Sequence, residues 1–549
     1  MASKITSRHV SMAEKIAGVT YTKDERELML EGVEAQLNLT LSRRAVPIDN
    51  SVPMATRFDP RLAGFTMPEK DGVIGTISQK PLPRSDEDIA FSNLPDLAAW
   101  IRSGALSSRR LTEIYLNRID RFDGKLFSFA SVMAEQALEE ADAMDRLTRQ
   151  GRNLGPLHGI PYGVKDLFDT DGVTTGWGAE PYKDRVPDSD AAIVRKLREA
   201  GAVLLGKTAV GALAYGDIWY GGICRNPWNI NEGSSGSSAG SASATAAGLC
   251  AFAIGTETLG SIVSPSNRCG VVGLRPTFGR VSRAGAMALC WSLDKVGPIC
   301  RGAEDTALVL EAINGQDPDD FSSIAAPFHF DAHGKIEGLR VGYLPAAFSE
   351  ESTTQTDHAA LEAVRALGAT VVEKRLPNLP YDALINLLFA EAAAAFEDLT
   401  LSDRDDQLGW QDEPAWPNKF RASRFLSAVD HVQLDRLRYK VMLALDALFD
   451  DIDILIGPGL NTPMLIASNF TGHPCLHLRA GFLDRATREQ VTLKSGKQKD
   501  AKTGKGKTFS VPHGISLWGR LFDEGTIVRF GMALEKELDV ASQRPGLGG

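Results

Sequence analysis

The stretch GSSGSSAGSASATAAGLCAFAIGTETLG, residues 233–260, decides the reading of this chain. Its density of Gly, Ser and Ala is too great for an ordinary helix or strand interior, and such small residues let backbone approach backbone or ligand closely. A flexible linker is the ordinary alternative. The apolar run Leu249 to Ile254 follows directly, however, and implies burial. Gly236, Ser237, Ser238, Ala239 and Gly240 also match the GxSxG pattern of a nucleophile elbow, which needs a strand immediately before its serine. The preceding residues, Asn226 to Glu232, are polar and contain Pro227. A chance match in a Gly/Ser-rich segment is therefore the better reading, with Ser238 as an elbow nucleophile kept as the alternative.

Upstream, residues 155–166 read GPLHGIPYGVKD, a short apolar segment bounded by Gly and Pro that ends on Lys165. A lysine held among apolar neighbours loses hydration of its charged form, so its pKa falls and it can serve as a neutral base near pH 7. Taken alone, Lys165 reads equally as a structural or solvated lysine. Around these segments helical and strand patterns alternate. Helices are expected behind Ser107, over 132–149 and over 190–200 with Asp190 as N-cap, and a strand over 202–205. A further strand, helix, strand unit is expected over 339–343, 356–367 and 369–373, then a strand at 452–456 and a helix near 524–537. Such alternation implies an α/β fold, a mainly parallel mixed sheet with helices on both faces.

Residues 1–85 read as a helical and Pro-rich appendage, with a helix around Lys23 to Leu41, and residues 86–549 as the catalytic domain. The segment 484–508 carries Lys494, Lys497, Lys499, Lys502, Lys505 and Lys507 and reads as an exposed loop or hairpin tip, with anionic partner binding as the alternative. Its Gly506, Lys507, Thr508 ending has Ala501 where a phosphate loop needs Gly, so nucleotide binding is rejected. With 60 basic and 70 acidic residues the net charge is -10, which argues against nucleic-acid or acidic-membrane binding. No apolar window reaches the roughly 20 residues of a membrane span, and residues 1–30 hold no signal-peptide stretch, so a cytoplasmic protein is expected. The six cysteines read as buried free thiols, and scattered histidines support no metal and no cofactor.

Taken together, the segments 155–166, 235–248 (SGSSAGSASATAAG), 255–262 (GTETLGSI) and 269–301 (CGVVGLRPTFGRVSRAGAMALCWSLDKVGPICR) resemble the amidase signature family. NPW (226–228), NFTGHP (469–474) and GRLFDEG (519–525) add to the resemblance, which covers most of 90–315 and more weakly the C-terminal part. It implies the amidase signature fold and a Ser-Ser-Lys hydrolase without a cofactor. The family's base falls on Lys165, its nucleophile on Ser261, and its relay serine, 24 positions earlier and preceded by a cis peptide bond, on Ser237. Backbone N–H groups of Thr258, Leu259, Gly260 and Ser261 would form the oxyanion hole.

The sequence departs from the family at Leu259, where glycine is usual, so the turn is expected to differ or Leu259 to line the acyl pocket. Glu257 replaces the usual Asp and Val263 the usual Arg, so a supporting ion pair is expected to be missing unless Arg268 supplies it. A stand-alone amidase acting on a small-molecule carboxamide, carbamate or ester is favoured over the glutaminase subunit of a tRNA-dependent amidotransferase, because GKTAVGALAYG (206–216) lacks that subunit's usual Asn-x-x-Glu. A non-catalytic binding protein on the same fold is the reading of another class, and a homo-oligomer stays open. Tyr162, Trp177, Tyr215, Trp219 and Tyr220 lie near the motifs as candidates for an aromatic pocket, and Tyr162, Tyr215 and Trp219, together with Ser238, are the substrate-binding candidates, which would suit an aryl or hydrophobic amide.

Overall fold

The structure, a computed structural model, describes residues 4–460, 462–488 and 507–547. Residues 489–506, which hold most of the Lys-rich segment, lie outside the described residues. Eleven strands form one sheet: β1 Phe129–Val132, β2 Pro161–Lys165, β3 Val203–Thr208, β4 Phe252–Glu257, β5 Val272–Arg275, β6 Lys295–Cys300, β7 Arg340–Tyr343, β8 Thr370–Glu373, β9 Ile454–Pro458, β10 Cys475–Ala486 and β11 Thr508–Gly519. Their spatial order is β8, β7, β9, β11, β10, β5, β6, β4, β2, β3, β1. The α/β architecture expected from the alternation is present. Parallel pairing holds in two blocks, β8–β7–β9 and β4–β2–β3, and the strands between them pair antiparallel. The long β10–β11 hairpin makes the antiparallel part, and Ala486 pairs with Thr508 at its far end.

The helices used below are α1 Ser7–Ala17, α2 Lys23–Arg44, α3 Ser108–Leu126, α4 Ala192–Glu199, α5 Ala239–Ala246, α6 Gln355–Ala366, α7 Thr462–Thr471 and α8 Glu524–Leu538. The Ser107 side chain caps α3 by accepting from Arg110 N, and Leu111, Ile114, Tyr115, Ile119 and Phe122 bury one face at helical spacing. At α4 the cap is Ala191 rather than Asp190. The Asp190 carboxylate instead accepts from Asp171 N and pairs with Arg198. Strands β2, β3 and β4 are buried along their whole length, because helices cover both faces of that block. All six cysteines are buried and free.

In the N-terminal 85 residues α1 and α2 form a pair joined by a bidentate Arg26–Glu14 contact at 2.7 and 2.8 Å. No residue of α2 is buried, and Arg43 ties its end to Glu397. From residue 46 the chain runs without regular structure across the body, reaching a short parallel pairing of Gly72–Ile74 with His329–Asp331. Among the described residues, no helix is long and apolar enough to cross a membrane.

Candidate active site

Lys165 is the last residue of β2, and parallel pairing with β4 (Val164 against Ile254) carries it beside Thr256. Ser237 and Ser238 stand just before α5, after a cis Gly236–Ser237 peptide bond. Ser261 closes the turn that follows β4. Ser238 N donates to the Ser261 carbonyl at 3.2 Å, so the two serine loops meet. The structure thus brings Lys165, Ser237, Ser238 and the 258–261 turn into one place from separate chain segments.

Lys165 is fully buried, and its Nζ lies 2.8 Å from Ser237 Oγ, 3.1 Å from Ser238 Oγ and 2.8 Å from Thr256 Oγ1. No carboxylate is within ion-pair distance of it among the described residues. Burial drives its pKa well below that of an ordinary lysine, with Asp294 and Glu257 opposing the shift from a distance. Proton counting then separates the two serines. Ser238 Oγ donates to Thr256 O and accepts from Thr256 N, each at 3.1 Å, and its remaining lone pair faces Lys165. A neutral amine has two N–H donors and one lone pair; with one N–H directed to Ser238, the Ser237 and Thr256 hydroxyls, each at 2.8 Å, are the two placed to exchange a proton with Lys165. Ser238 is fully buried, with its bonding capacity taken up by Thr256 and Lys165.

Ser261 is the most open of the three serines at 9% exposure, and its hydroxyl bonds to none of the described residues. In the turn before it, Gly260 takes the left-handed conformation (φ +86°), while Leu259 does not. This explains how leucine is tolerated where glycine is usual: only Gly260 needs a backbone that side chains disfavour. Leu259 packs against the core, and it does not line the large cavity described below. The N–H groups of Thr258, Leu259, Gly260 and Ser261 are engaged by none of the described residues, so they are available to a developing oxyanion.

The expectation of a missing ion pair is corrected. The buried Glu257 carboxylate pairs with Arg275 at 2.6 Å, accepts Asn469 Nδ2 at 2.9 Å, and takes the N–H groups of Ile262 and Val263 at 2.9 and 3.0 Å. Burial alone would raise its pKa, but Arg275 and these donors bring it down to about 2. Arg268 does not replace the usual arginine; it donates to Gly233 O instead. Arg275 in turn reaches Ser468 of α7 and the His473 carbonyl, so the turn is anchored to the C-terminal half of the chain.

A cavity of about 460 Å³ adjoins this centre at Thr256 and Thr258. Trp177, Met287, Leu289, Trp291 and Met54 give it apolar surface. Of the aromatic candidates for substrate contact, Trp177 lies there, and Tyr162, Tyr215, Trp219 and Tyr220 do not. Tyr162 is buried in the core, stacked on Phe252 at 5.3 Å, because it points to the packed side of β2. Tyr215 and Trp219 line a separate cleft of only about 20 Å³, with Tyr215 between Trp410 and Trp416. Sequence reasoning missed Thr256, Asp294 and Lys295. Asp294 accepts from Thr258 Oγ1 at 2.6 Å and braces the turn, and burial beside Arg275 lowers the Lys295 pKa to about 7. The Asp and Lys of SLDKVGP were the available signal. Among the described residues no group of three or more His, Cys, Asp or Glu is arranged to hold a metal ion.

A family model described as Amidase matches residues 110–528. A glutamyl-tRNA(Gln) amidotransferase subunit from Lysinibacillus sphaericus (strain C3-41) is 32% identical over 511 residues, covering 82% of this chain and 97% of that protein. The subunit of the same name from Chromohalobacter salexigens is 36% identical over 441 residues, covering 71% and 90%. Among solved structures, native peptide amidase from Stenotrophomonas maltophilia matches with a TM-score of 0.69 at 29% identity, covering 83% of this chain and 99% of that one.

Proposed function

The chain belongs to the amidase family and is a hydrolase of amide C–N bonds; from that premise we propose that it works alone on aryl or otherwise hydrophobic carboxamides, through an acyl-enzyme on Ser261. Carbamates and esters share the same acyl chemistry. The observation that carries this reading is the fully buried Lys165 Nζ at 2.8 Å from Ser237 Oγ.

In the proposed cycle the Ser261 hydroxyl gives its proton to Ser237 as it attacks the substrate carbonyl, and Ser237 gives its own proton to neutral Lys165. The new Ser261–carbon bond leaves an oxyanion facing the N–H groups of residues 258–261, where losing one such donor typically costs about 2.7–4 kcal/mol. The lysine ammonium then returns the proton through Ser237 to the leaving nitrogen as the C–N bond breaks. Water repeats the path, and the acid is released with Ser261 restored.

A second reading, a glutaminase component of a tRNA-dependent amidotransferase, is favoured by the name of the curated relatives. Against it stands the cavity, which has the size of a drug-like ligand site and a mixed wall whose apolar part, Met54, Trp177, Met287, Leu289 and Trp291, is supplied in part by residues before the family match. The deciding test is to treat the purified chain with a fluorophosphonate, map the adduct by mass spectrometry, and compare turnover of anilides with that of glutamine. An adduct on Ser261, absent in Lys165→Ala, with anilide turnover by the isolated chain is the expected result. An adduct on Ser238 overturns the assignment, and turnover of glutamine alone, or only with copurifying partners, overturns the stand-alone reading.

A further inference from the structure

We propose that residues 46–60 are the specificity wall of the amidase cavity and select substrates by the length and bulk of their apolar group; this rests on the cavity being the substrate site proposed above. The segment precedes the family match, which begins at residue 110, and has no regular secondary structure. It is nevertheless fixed at several points. The Asn50 side chain behaves like a strand neighbour to Ala288: Nδ2 donates to Ala288 O and Oδ1 accepts from Ala288 N, both at 2.8 Å, while Nδ2 also reaches Ala395 O. Phe58 is held between Phe278, at 5.1 Å and edge-on, and the guanidinium of Arg438, 3.5 Å from its ring centre. Arg438 is itself buried and bonded to the carbonyls of Phe470 and Ser292, so this second anchor is rigid. Arg57 donates across the cavity mouth to Phe321 O at 3.0 Å.

Between the anchors Pro53, Met54 and Thr56 line the cavity. Thr256 and Thr258, whose hydroxyls are tied to Lys165 and Asp294, line the same cavity and join it to the reacting centre. Of the charged residues around the cavity, Arg185 is bidentate to Asp169 at 2.7 Å and Arg283 pairs with Asp320, while Arg57 and Lys295 have carbonyl partners and no carboxylate within ion-pair distance among the described residues. Met54 on the anchored strap adds to the apolar part of the cavity wall, with Trp177, Met287, Leu289 and Trp291. Met54, an unbranched and adaptable side chain, is the part of that wall able to fit different groups. Each methylene it buries or excludes changes binding about fourfold.

The test uses the full chain and two alkyl fluorophosphonates, ethyl and dodecyl, with rates of adduct formation on Ser261 read by mass spectrometry. Met54→Trp is expected to lower the dodecyl-to-ethyl rate ratio by about tenfold or more, roughly two methylenes' worth. Met54→Ala and Asn50→Ala, which shrink or release the wall, are expected to raise the ratio, and they keep the test open if the tryptophan variant does not fold. Ratios within twofold of the parent protein in these variants would overturn the wall while leaving the site intact. Absence of any Ser261 adduct in the parent protein would overturn the site reading, and the wall with it.

Discussion

Two buried lysines sit one strand apart and do different things. The pairing of Val164 with Lys207 and of Lys165 with Thr208 puts them on opposite faces of the β2–β3 pair. Lys207 donates to the Phe168 carbonyl and to the hydroxyls of Thr170 and Thr175, and the buried Asp166 carboxylate supplies a countercharge. Burial lowers the Lys207 pKa and Asp166 pulls it back up, while burial raises the Asp166 pKa. Lys165 has the same burial but only serine and threonine partners. Burial is common to both lysines; what separates them is a nearby carboxylate in one case and only hydroxyl partners in the other, and the proposed general base is the one without a countercharge.

The same substitution at both lysines should therefore break different properties. Lys165→Met is expected to cut amide hydrolysis by about 10³-fold or more, the scale of a lost general base, with thermal stability equal to or above the parent, since a fully buried amine is removed without stranding a charge. A melt that collapses in this variant would mean that Lys165 is structural.

Lys207→Met removes the cation whose charge offsets that of buried Asp166, and is expected to lower stability, since an uncompensated buried charge is unfavourable. The folded-state pKa of Asp166 already lies above its unfolded value, so its ionised form is the disfavoured one in the folded protein. That penalty applies at pH above the folded pKa and disappears as pH falls through it. The variant should thus lose most stability near pH 8 and recover part of it near pH 6, as followed by denaturant unfolding at each pH. A pH-independent loss would show that packing, and not charge, is what Lys207 supplies.

A smaller effect sharpens the role of Lys165's surroundings. The parent's acylation rate should fall on the acid side as pH drops through the depressed Lys165 pKa, because the protonated amine has no lone pair for Ser237. Thr256→Val removes one acceptor of the ammonium form, which depresses the pKa further and moves this limb to lower pH. A limb that does not move assigns it to another group, of which Lys295, near 7, is the first to test by Lys295→Met.

The sequence made the centre legible because its chemistry is local: a lysine ending a short apolar strand, and serines in runs too small-residued for anything but close approach. The long-range supports were not. Nothing in the spacing of Glu257 and Arg275 tells that β5 will bring the arginine back to the turn, since that depends on β6 and β10 lying on either side of β5. The sheet's antiparallel middle was equally hidden, because the hairpin strands β10 and β11 mix buried and exposed stretches along 12 residues each. The strap at 46–60 is broken by Pro47, Pro53 and Pro60 and has no helical or strand periodicity, so it reads as a connection, and it is fixed by Asn50 and Phe58 docking on partners more than 200 residues away. Aromatic residues near the motifs were a divided guide: Trp177 lines the cavity, but Tyr162 stacks in the core and Tyr215 and Trp219 line another cleft, because proximity in sequence to Lys165 or Ser237 does not say which face of the sheet a ring occupies.

Tyr215 gives the smallest expected effect and the cleanest contrast with Lys165. Its ring stacks at 5.3 Å on Trp410 and lies 5.0 Å from Trp416, in a cleft separate from the 460 Å³ cavity, although Ala214 next to it lines that cavity. Tyr215→Ala should forfeit ring contacts worth about 0.5–1.5 kcal/mol each beyond area burial and so lower the melting temperature measurably. It should leave kcat/KM for an anilide within about twofold, the scale of a change away from reacting groups. A larger loss of kcat/KM, with the melting temperature little changed, would bring the aromatic cluster into the substrate path and extend the cavity past Ala214. The reverse pattern would confine substrate selection to the side where Trp177 and Met54 stand.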